Sequence, residues 1–171
     1  MQIKFKTFTM NLEDMPLDVG YASEAVQLKG IDNMLHTLGG HNGKTQLFIT
    51  TPFIDKEFLE ELSLINEMLP HGGAYEVNTA LVVANALHEN PNLEKIDFFI
   101  DSENEFGDFY GTRLEGEPYN SELTKSLILV SKDGAIFHDE FMKDLSDKFN
   151  LDTLLRKITA AQICYTGKGC H

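Results

Sequence analysis

The sequence contains no tryptophan and only two cysteines, Cys164 and Cys170, both within its last eight residues. A secreted disulfide scaffold carries more cysteines and spreads them along the chain, so we do not expect a disulfide framework. No apolar run approaches the roughly 18 residues that a membrane span requires, and residues 1–7 lack the apolar core of a signal peptide. These absences predict a cytoplasmic protein without a membrane partner.

Basic residues are scarce as well, since 14 Lys and Arg stand against 27 Asp and Glu, for a formal net charge of −13. A field of that sign repels nucleic acids and anionic membranes, so we do not expect DNA or RNA as a partner. The 171 residues are 42% hydrophobic and 24% charged, which is ordinary for one globular domain. Because no repeat or linker divides the sequence, we expect one domain over residues 1–161 and a cysteine-containing C-terminal tail over residues 162–171.

Hydrophobic periodicity predicts strands that alternate with helices over most of the chain. The predicted strands follow an N-terminal β-hairpin and cover residues 25–28, 46–51, 76–83, 96–100, 126–131 and 135–139. The predicted helices cover residues 56–69 and 151–161, with shorter ones between strands 76–83 and 96–100 and after Ser102. Helices between strands imply parallel pairing, whereas the turn at residues 132–134 adds antiparallel strands. We therefore expect an α/β fold of thioredoxin-like type, with a mixed β-sheet flanked by helices.

Two of the predicted helices have recognisable capping residues. Asp55 is placed to cap the helix over residues 56–69. Ser102 and Glu105 have the spacing of a capping box, and Gly111 is placed to end the short helix that follows them. Leu59 falls on the apolar face of the helix over residues 56–69, so we expect it to pack into the core.

Several patterns that suggest cofactor binding lack a necessary residue. Residues 43–45 read Gly-Lys-Thr, but Leu38 replaces the glycine that a phosphate-binding loop needs, and a strand follows instead of a helix. Residues 101–105 alternate carboxylates as a calcium loop does, but Phe106 occupies the position of the required glycine. The histidines are scattered, and no G-x-S-x-G elbow marks a serine nucleophile. We expect no cofactor.

Both cysteines of the sequence lie in the C-terminal tail, residues 162–171. Two glycines between Cys164 and Cys170 allow the thiols to meet, and Lys168 and His171 would lower a thiol pKa. The five-residue separation of the cysteines differs from the spacing of common zinc sites. Three alternatives stay open: a redox-active pair, structural or incidental thiols, and zinc ligands formed by Cys164, Cys170 and His171.

Five segments occur in an order and spacing similar to those of one known family: residues 17–20, 25–28, 43–49, 105–111 and 125–134. The fourth reads Glu-Phe-Gly-Asp-Phe-Tyr-Gly, and the fifth reads Lys-Ser-Leu-Ile-Leu-Val-Ser-Lys-Asp-Gly. On these segments the chain resembles the thiol peroxidase group of the peroxiredoxin family. Its members have a thioredoxin-like fold and reduce hydroperoxides with cysteine thiols. The resemblance implies the same fold here.

The resemblance also implies that the family's active loop falls on residues 52–59, where its reactive groups are missing. Pro52 and Asp55 fit the loop. Lys56, however, stands at the position of the family's threonine, and Leu59 stands at the position of the peroxidatic cysteine. A leucine cannot attack a peroxide oxygen, so we expect the usual peroxidase activity to be absent.

Two further positions of the family's site also differ. Lys125 aligns with the arginine that activates the thiolate, and lysine offers a point charge in place of a planar fork. The resolving cysteine, which the family carries on a helix, falls near Leu87 or His88.

Two main hypotheses follow. The protein is either a redox protein whose Cys164–Cys170 pair cycles with a thioredoxin-type reductant, or a non-catalytic pseudoenzyme that binds a ligand or a partner. Zinc binding by the tail is a weaker alternative. The resemblance also implies a homodimer.

Overall fold

The computed structural model describes residues 1–70 and 73–163. It contains a small sheet and a large sheet. The small sheet joins β1 (Gln2–Phe5), β2 (Phe8–Leu12) and β8 (Leu114–Glu115), and its first two strands form the predicted N-terminal hairpin. The large sheet has seven strands in the order β10-β9-β5-β6-β7-β3-β4. Its strands are β3 (Val26–Lys29), β4 (Leu35–Leu38), β5 (Thr45–Thr50), β6 (Val77–Val83), β7 (Ile96–Ile100), β9 (Ser126–Val130) and β10 (Ile136–Phe141).

The large sheet is mixed, as the alternation of helices and strands predicts. β5, β6 and β7 are parallel neighbours, whereas β9 and β10 add antiparallel strands on one side and β3 and β4 on the other. In the described residues the α-helices are α1 (Lys56–Met68), α2 (Glu105–Tyr110) and α3 (Leu151–Ile163), and residues Gly73–Tyr75 form one turn of 3₁₀-helix. This arrangement confirms the predicted α/β architecture. In the described residues no helix has the length and hydrophobicity to cross a bilayer.

Alternate strand residues divide the core between the two faces of the sheet. Leu47 and Ile49 of β5 lie on the face that packs against α1 and α3. Phe48, between them, lies on the opposite face with Phe106 and Tyr110 of α2. The small sheet buries a third cluster around Ile3.

Two predictions about secondary structure are wrong, and two strands, β4 and β8, are not predicted. Three of the four residues of β4 are exposed, so it lacks the alternation that marks a half-buried strand. The predicted helix between strands 76–83 and 96–100 does not form, and residues 84–95 are irregular. Ser102 does not cap α2, because the helix starts at Glu105 after a left-handed Asn104.

Candidate functional site

The start of α1 is held by local hydrogen bonds. The backbone N–H of Phe58 donates to Asp55 Oδ1 at 2.8 Å, which confirms the predicted N-cap. In the preceding loop Pro52 is buried, and the hydroxyl of Thr51 donates to the carbonyl of Phe53 at 2.6 Å. Lys56, in the first turn of the helix, is exposed. The loop and the first turn are therefore fixed in place.

Leu59 does not pack into the core, so that prediction is wrong. The core-facing positions of α1 are Phe58, Leu62 and Ile65, together with Glu61. Leu59 lies about 100° around the helix from Phe58, and its side chain is 39% exposed. It faces a surface cavity instead of the sheet.

A cavity of about 410 Å³ separates α1 from the irregular segment 84–95. Its lining comprises Ile54, Leu59, Leu87, His88, Glu89, Asn90 and Pro91. Leu59 thus lines the same cavity as Leu87 and His88, which are nearly thirty residues away in sequence. The resemblance assigns the peroxidatic and resolving cysteines to these same two positions.

His88 is fixed by a hydrogen-bond network at the edge of this cavity. Its Nε2 lies 2.8 Å from Glu122 Oε2, and Asn85 Nδ2 donates to Glu122 Oε1 at 2.7 Å. The amide of Leu87 in turn donates to Asn85 Oδ1 at 3.1 Å. Because the carboxylate of Glu122 accepts from both side chains, the imidazole is held in one orientation. Glu122 and Asn85 carried no signal in the sequence, since their link joins loops that are distant in sequence.

Lys125 is buried beneath α1. Its Nζ lies 2.7 Å from Glu61 Oε2 and donates to the carbonyl of Asp147 at 2.5 Å. The rings of Phe58 and Phe149 lie within 5.5 Å and 4.9 Å of the same nitrogen. The second oxygen of Glu61 accepts the backbone N–H of Phe149 at 2.5 Å. The ammonium group of Lys125 is therefore paired with the carboxylate of Glu61.

Glu61 is a buried residue of this site that the sequence analysis does not single out. A signal was available, because Glu61 follows Phe58 by three residues and precedes Ile65 by four, which is the spacing of one helical face. The buried carboxylate has an ionic partner 64 residues away, which periodicity does not reveal.

The segment 105–111 holds together a second region, on the opposite face of the sheet. Asp101 is almost fully buried, and its two carboxylate oxygens accept the backbone N–H groups of Phe106 and Gly107 at 2.9 Å. Asp101 thus caps α2 from before its first turn, which is the role that Ser102 was expected to fill. Burial raises the pKa of the Asp101 carboxyl, and these two hydrogen bonds oppose the rise.

Arg113 packs across the same helix. It donates to the carbonyl of Asn104 at 2.7 Å and pairs with Asp108. A Cβ on Gly107 would lie 2.5 Å from Arg113 Nη2, so the absence of a side chain at this position lets the guanidinium approach the helix this closely.

Tyr110 links α2 to the loop that contains Ser23 and Glu24. Its hydroxyl lies 2.7 Å from Ser23 Oγ and donates to the carbonyl of Glu24 at 2.5 Å. Burial raises the pKa of Tyr110 to about 12, so the phenol stays protonated. Gly111 ends α2 with a φ of +67°, as predicted. The residues of this segment are occupied by internal contacts and have a structural role.

Cys164, Cys170 and His171 lie outside the described residues. Among the residues that the structure does describe, no group of three or more His, Cys, Asp or Glu side chains is arranged to hold a metal ion.

Comparison with known proteins gives structural matches only. No protein-family model matches the sequence, and no curated protein matches it. Among solved structures, a peroxiredoxin-like protein from Aquifex aeolicus superposes with a TM-score of 0.81 at 18% identity, over 94% of this chain and 96% of that one. A thiol peroxidase from Chromobacterium violaceum superposes with a TM-score of 0.76 at 12% identity, over 92% and 95% of the two chains.

A third match is more distant. AhpC of Mycobacterium tuberculosis superposes with a TM-score of 0.62 at 17% identity, over 86% of this chain and 94% of that one. At these identities the likeness establishes the fold, and the function has to be argued from the site. The chain has the thioredoxin-like fold of peroxiredoxins and thiol peroxidases.

Proposed function

We propose that this protein is a peroxiredoxin-like pseudoenzyme, in which the site at the start of α1 has lost the cysteine chemistry of the fold and binds a ligand instead. The cavity between α1 and segment 84–95 carries the proposal. Leu59 and His88 line it at the two positions that the resemblance assigns to cysteines. A leucine side chain has neither a lone pair nor an ionisable proton, so it cannot open the peroxide O–O bond.

The surroundings of Lys125 support the same conclusion. An arginine at this position would activate a thiolate through a planar set of donors. The ammonium of Lys125 is instead bonded to Glu61 and to a backbone carbonyl, beneath the helix that carries Leu59. The group that replaces the activator is thus committed to holding the helix in place.

The cavity has the volume of a small-molecule site. Its volume of about 410 Å³ falls within the usual range for ligand pockets, about 300–1,000 Å³. Leu59 supplies an apolar side chain, and His88, whose Nε2 is bonded to Glu122, supplies a polar ring. Such a pocket suits a small ligand with one polar end.

A thiol–disulfide role for Cys164 and Cys170 is the second candidate. It is favoured by the two glycines that separate Cys164 and Cys170 in the sequence and by the basic residues Lys168 and His171 next to them in sequence, which would lower a thiol pKa. This candidate needs a thioredoxin-type reductant. Zinc binding by Cys164, Cys170 and His171 is the weaker alternative. Formation of a homodimer and a cytoplasmic location are predictions from the sequence alone.

Peroxide turnover distinguishes these candidates. The wild-type protein is mixed with hydrogen peroxide, thioredoxin, thioredoxin reductase and NADPH, and NADPH oxidation is recorded. We expect the rate to equal that of the reductase system alone. The variant with Cys164→Ser and Cys170→Ser serves as the matched control. Turnover in the wild type that this variant loses would replace the pseudoenzyme by the redox candidate.

Ligand binding is tested separately by NMR with a small-fragment collection. We expect amide shift changes to cluster on Leu59, His88 and Asn90, and to disappear in His88→Ala. Shift changes that cluster elsewhere, or that survive in His88→Ala, would contradict a binding site in this cavity.

A further inference from the structure

The pairing between β3 and β7 stops after one residue pair. Lys29 pairs with Ile100, and no other pair joins these two strands in the described residues. The chain leaves the sheet there because it turns at residues 31–33, where Asn33 donates its N–H to the carbonyl of Gly30 at 3.1 Å. The remainder of β7 thus lies at an open side of the sheet.

The register shows which groups of β7 face this opening. The N–H of Asp101 donates to the carbonyl of Val83 in β6 at 2.8 Å. Backbone groups alternate in direction along a strand, so Phe99 and Asp97 also turn toward β6. Phe98 therefore turns its N–H and C=O toward the side of β3. No strand residue pairs with it on that side within the described part of the chain.

A cavity of about 670 Å³ opens at this place. It contacts four successive residues of β7, Ile96 to Phe99. Because successive side chains point to opposite faces of a sheet, a cavity that touches all four must lie at the strand's edge. The opposite wall is the β3–β4 hairpin, which contributes Ile31, Asp32 and His36. We call this cavity the β7 cleft.

The walls of the β7 cleft are apolar with acidic groups among them. Ile31 is 77% exposed, and the half-buried Leu93 and Phe99 also line the cleft. Asp97 is exposed at its edge, whereas the carboxylate of Asp32 at the hairpin lies 2.9 Å from His36 Nε2. The exposed Asp97 and the net charge of −13 of the whole chain together favour a positively charged occupant.

We propose that the β7 cleft receives an extended segment of a partner protein, which adds to β7 as a further strand and presents alternating apolar and basic side chains. Backbone hydrogen bonds to Phe98 would supply affinity, and the alternating side chains would supply specificity. The cleft suits a strand better than a compact ligand because its floor is a strand edge. The proposal is independent of the function proposed for the cavity at α1.

The test uses the full chain and two synthetic peptides, acetyl-Lys-Val-Lys-Val-Lys-Val-Lys-amide and its counterpart with Glu in place of Lys. Amide hydrogen exchange is followed by NMR. We expect the exchange of the Phe98 amide to slow at least tenfold with the basic peptide and to be unchanged with the acidic one. Asp97→Lys should weaken binding of the basic peptide at least tenfold, whereas Glu115→Lys, an exposed substitution on the small sheet, should not.

Strand addition has a signature that simple charge attraction lacks. In a peptide added to the sheet as a strand, only every second amide faces β7. N-methylation of the valine amides and N-methylation of the lysine amides should therefore have different effects on binding. One series should lose binding and the other should keep it. Equal effects of the two series, or no binding of the basic peptide, would overturn the proposal.

Two other occupants are distinguished without peptide. Protection of Phe98 that rises with protein concentration would assign the cleft to a second copy of the chain. Protection that is lost when residues 164–171 are deleted would assign it to the chain's own C-terminus. Either result overturns the proposal of a partner segment.

Discussion

The start of α1 and the segment 105–111 both align with the same family, yet they differ in how their residues are used. Residues of segment 105–111 are held by partners outside it: Asp101 caps the helix, Gly107 makes room for Arg113, and Tyr110 bonds to Ser23. At α1 the cap by Asp55 remains, but Leu59 faces a cavity without a reactive group of its own.

Under the proposed function, the difference illustrates which parts of a shared fold distant sequences keep. Contacts that hold the fold depend on many atoms at once, so a change at one of them is costly to the whole domain. A catalytic thiol depends on one atom and its activators. It can be lost while the loop that presented it stays in place.

The largest expected effect concerns the ion pair beneath α1. Lys125→Met should lower the free energy of unfolding by about 3–5 kcal/mol, because it leaves the buried carboxylate of Glu61 without its partner. The double variant with Glu61→Leu should recover much of this loss. Urea unfolding measures both, and Lys148→Met, at a neighbouring exposed position, is the matched control. A loss under 1 kcal/mol in Lys125→Met would show that the pair does not hold the helix.

The next effect tests the structural role of the region around α2. Tyr110→Phe should lower the free energy of unfolding by about 1–2 kcal/mol, since it removes a buried hydroxyl that bonds to Ser23 and to the carbonyl of Glu24. Tyr21→Phe changes an exposed tyrosine in the same way and should have no effect. Equal unfolding curves for Tyr110→Phe and the wild type would argue against the assigned role.

The third prediction concerns the N-cap that Asp55 provides at the start of α1. Asp55→Ala should cost about 1 kcal/mol, because the N–H of Phe58 loses its acceptor. Asp55→Asn keeps an acceptor and should cost much less. Thermal or urea unfolding of the two variants provides the comparison, and identical losses would show that the hydrogen bond to the N–H of Phe58 does not stabilise the start of α1.

The smallest effect concerns pH. Burial raises the pKa of Asp101 in the folded state, so the folded protein binds this proton more tightly than the unfolded chain. The contribution of Asp101 to stability should therefore fall as the pH rises from the usual aspartate pKa of about 3.9 to the raised value. Urea unfolding of the wild type and of Asp101→Asn across this range should show their difference shrinking with rising pH. A growing difference would contradict the assignment.

The sequence predicts most of the fold because strands such as β5 and β9 contain short apolar runs, residues 47–49 and 127–130, bounded by polar residues. It does not predict β4, whose exposed residues lack alternation, or the irregular segment 84–95. Within the site, Asp55 follows from local capping rules. The pairs Glu61–Lys125 and His88–Glu122 depend on contacts across 64 and 34 residues, which no local pattern encodes.

The central claim is that the α1 site has lost the groups that activate a thiol as well as the thiol itself. The direct measurement compares Leu59→Cys with Leu64→Cys, an exposed position on the same helix, both in a chain with Cys164→Ser and Cys170→Ser. Reaction of each thiol with hydrogen peroxide is followed by mass spectrometry. We predict rates within about tenfold of each other, since proximity to a helix N-terminus is the main advantage left to position 59. A rate for Leu59→Cys that exceeds the other by several orders of magnitude would contradict the claim.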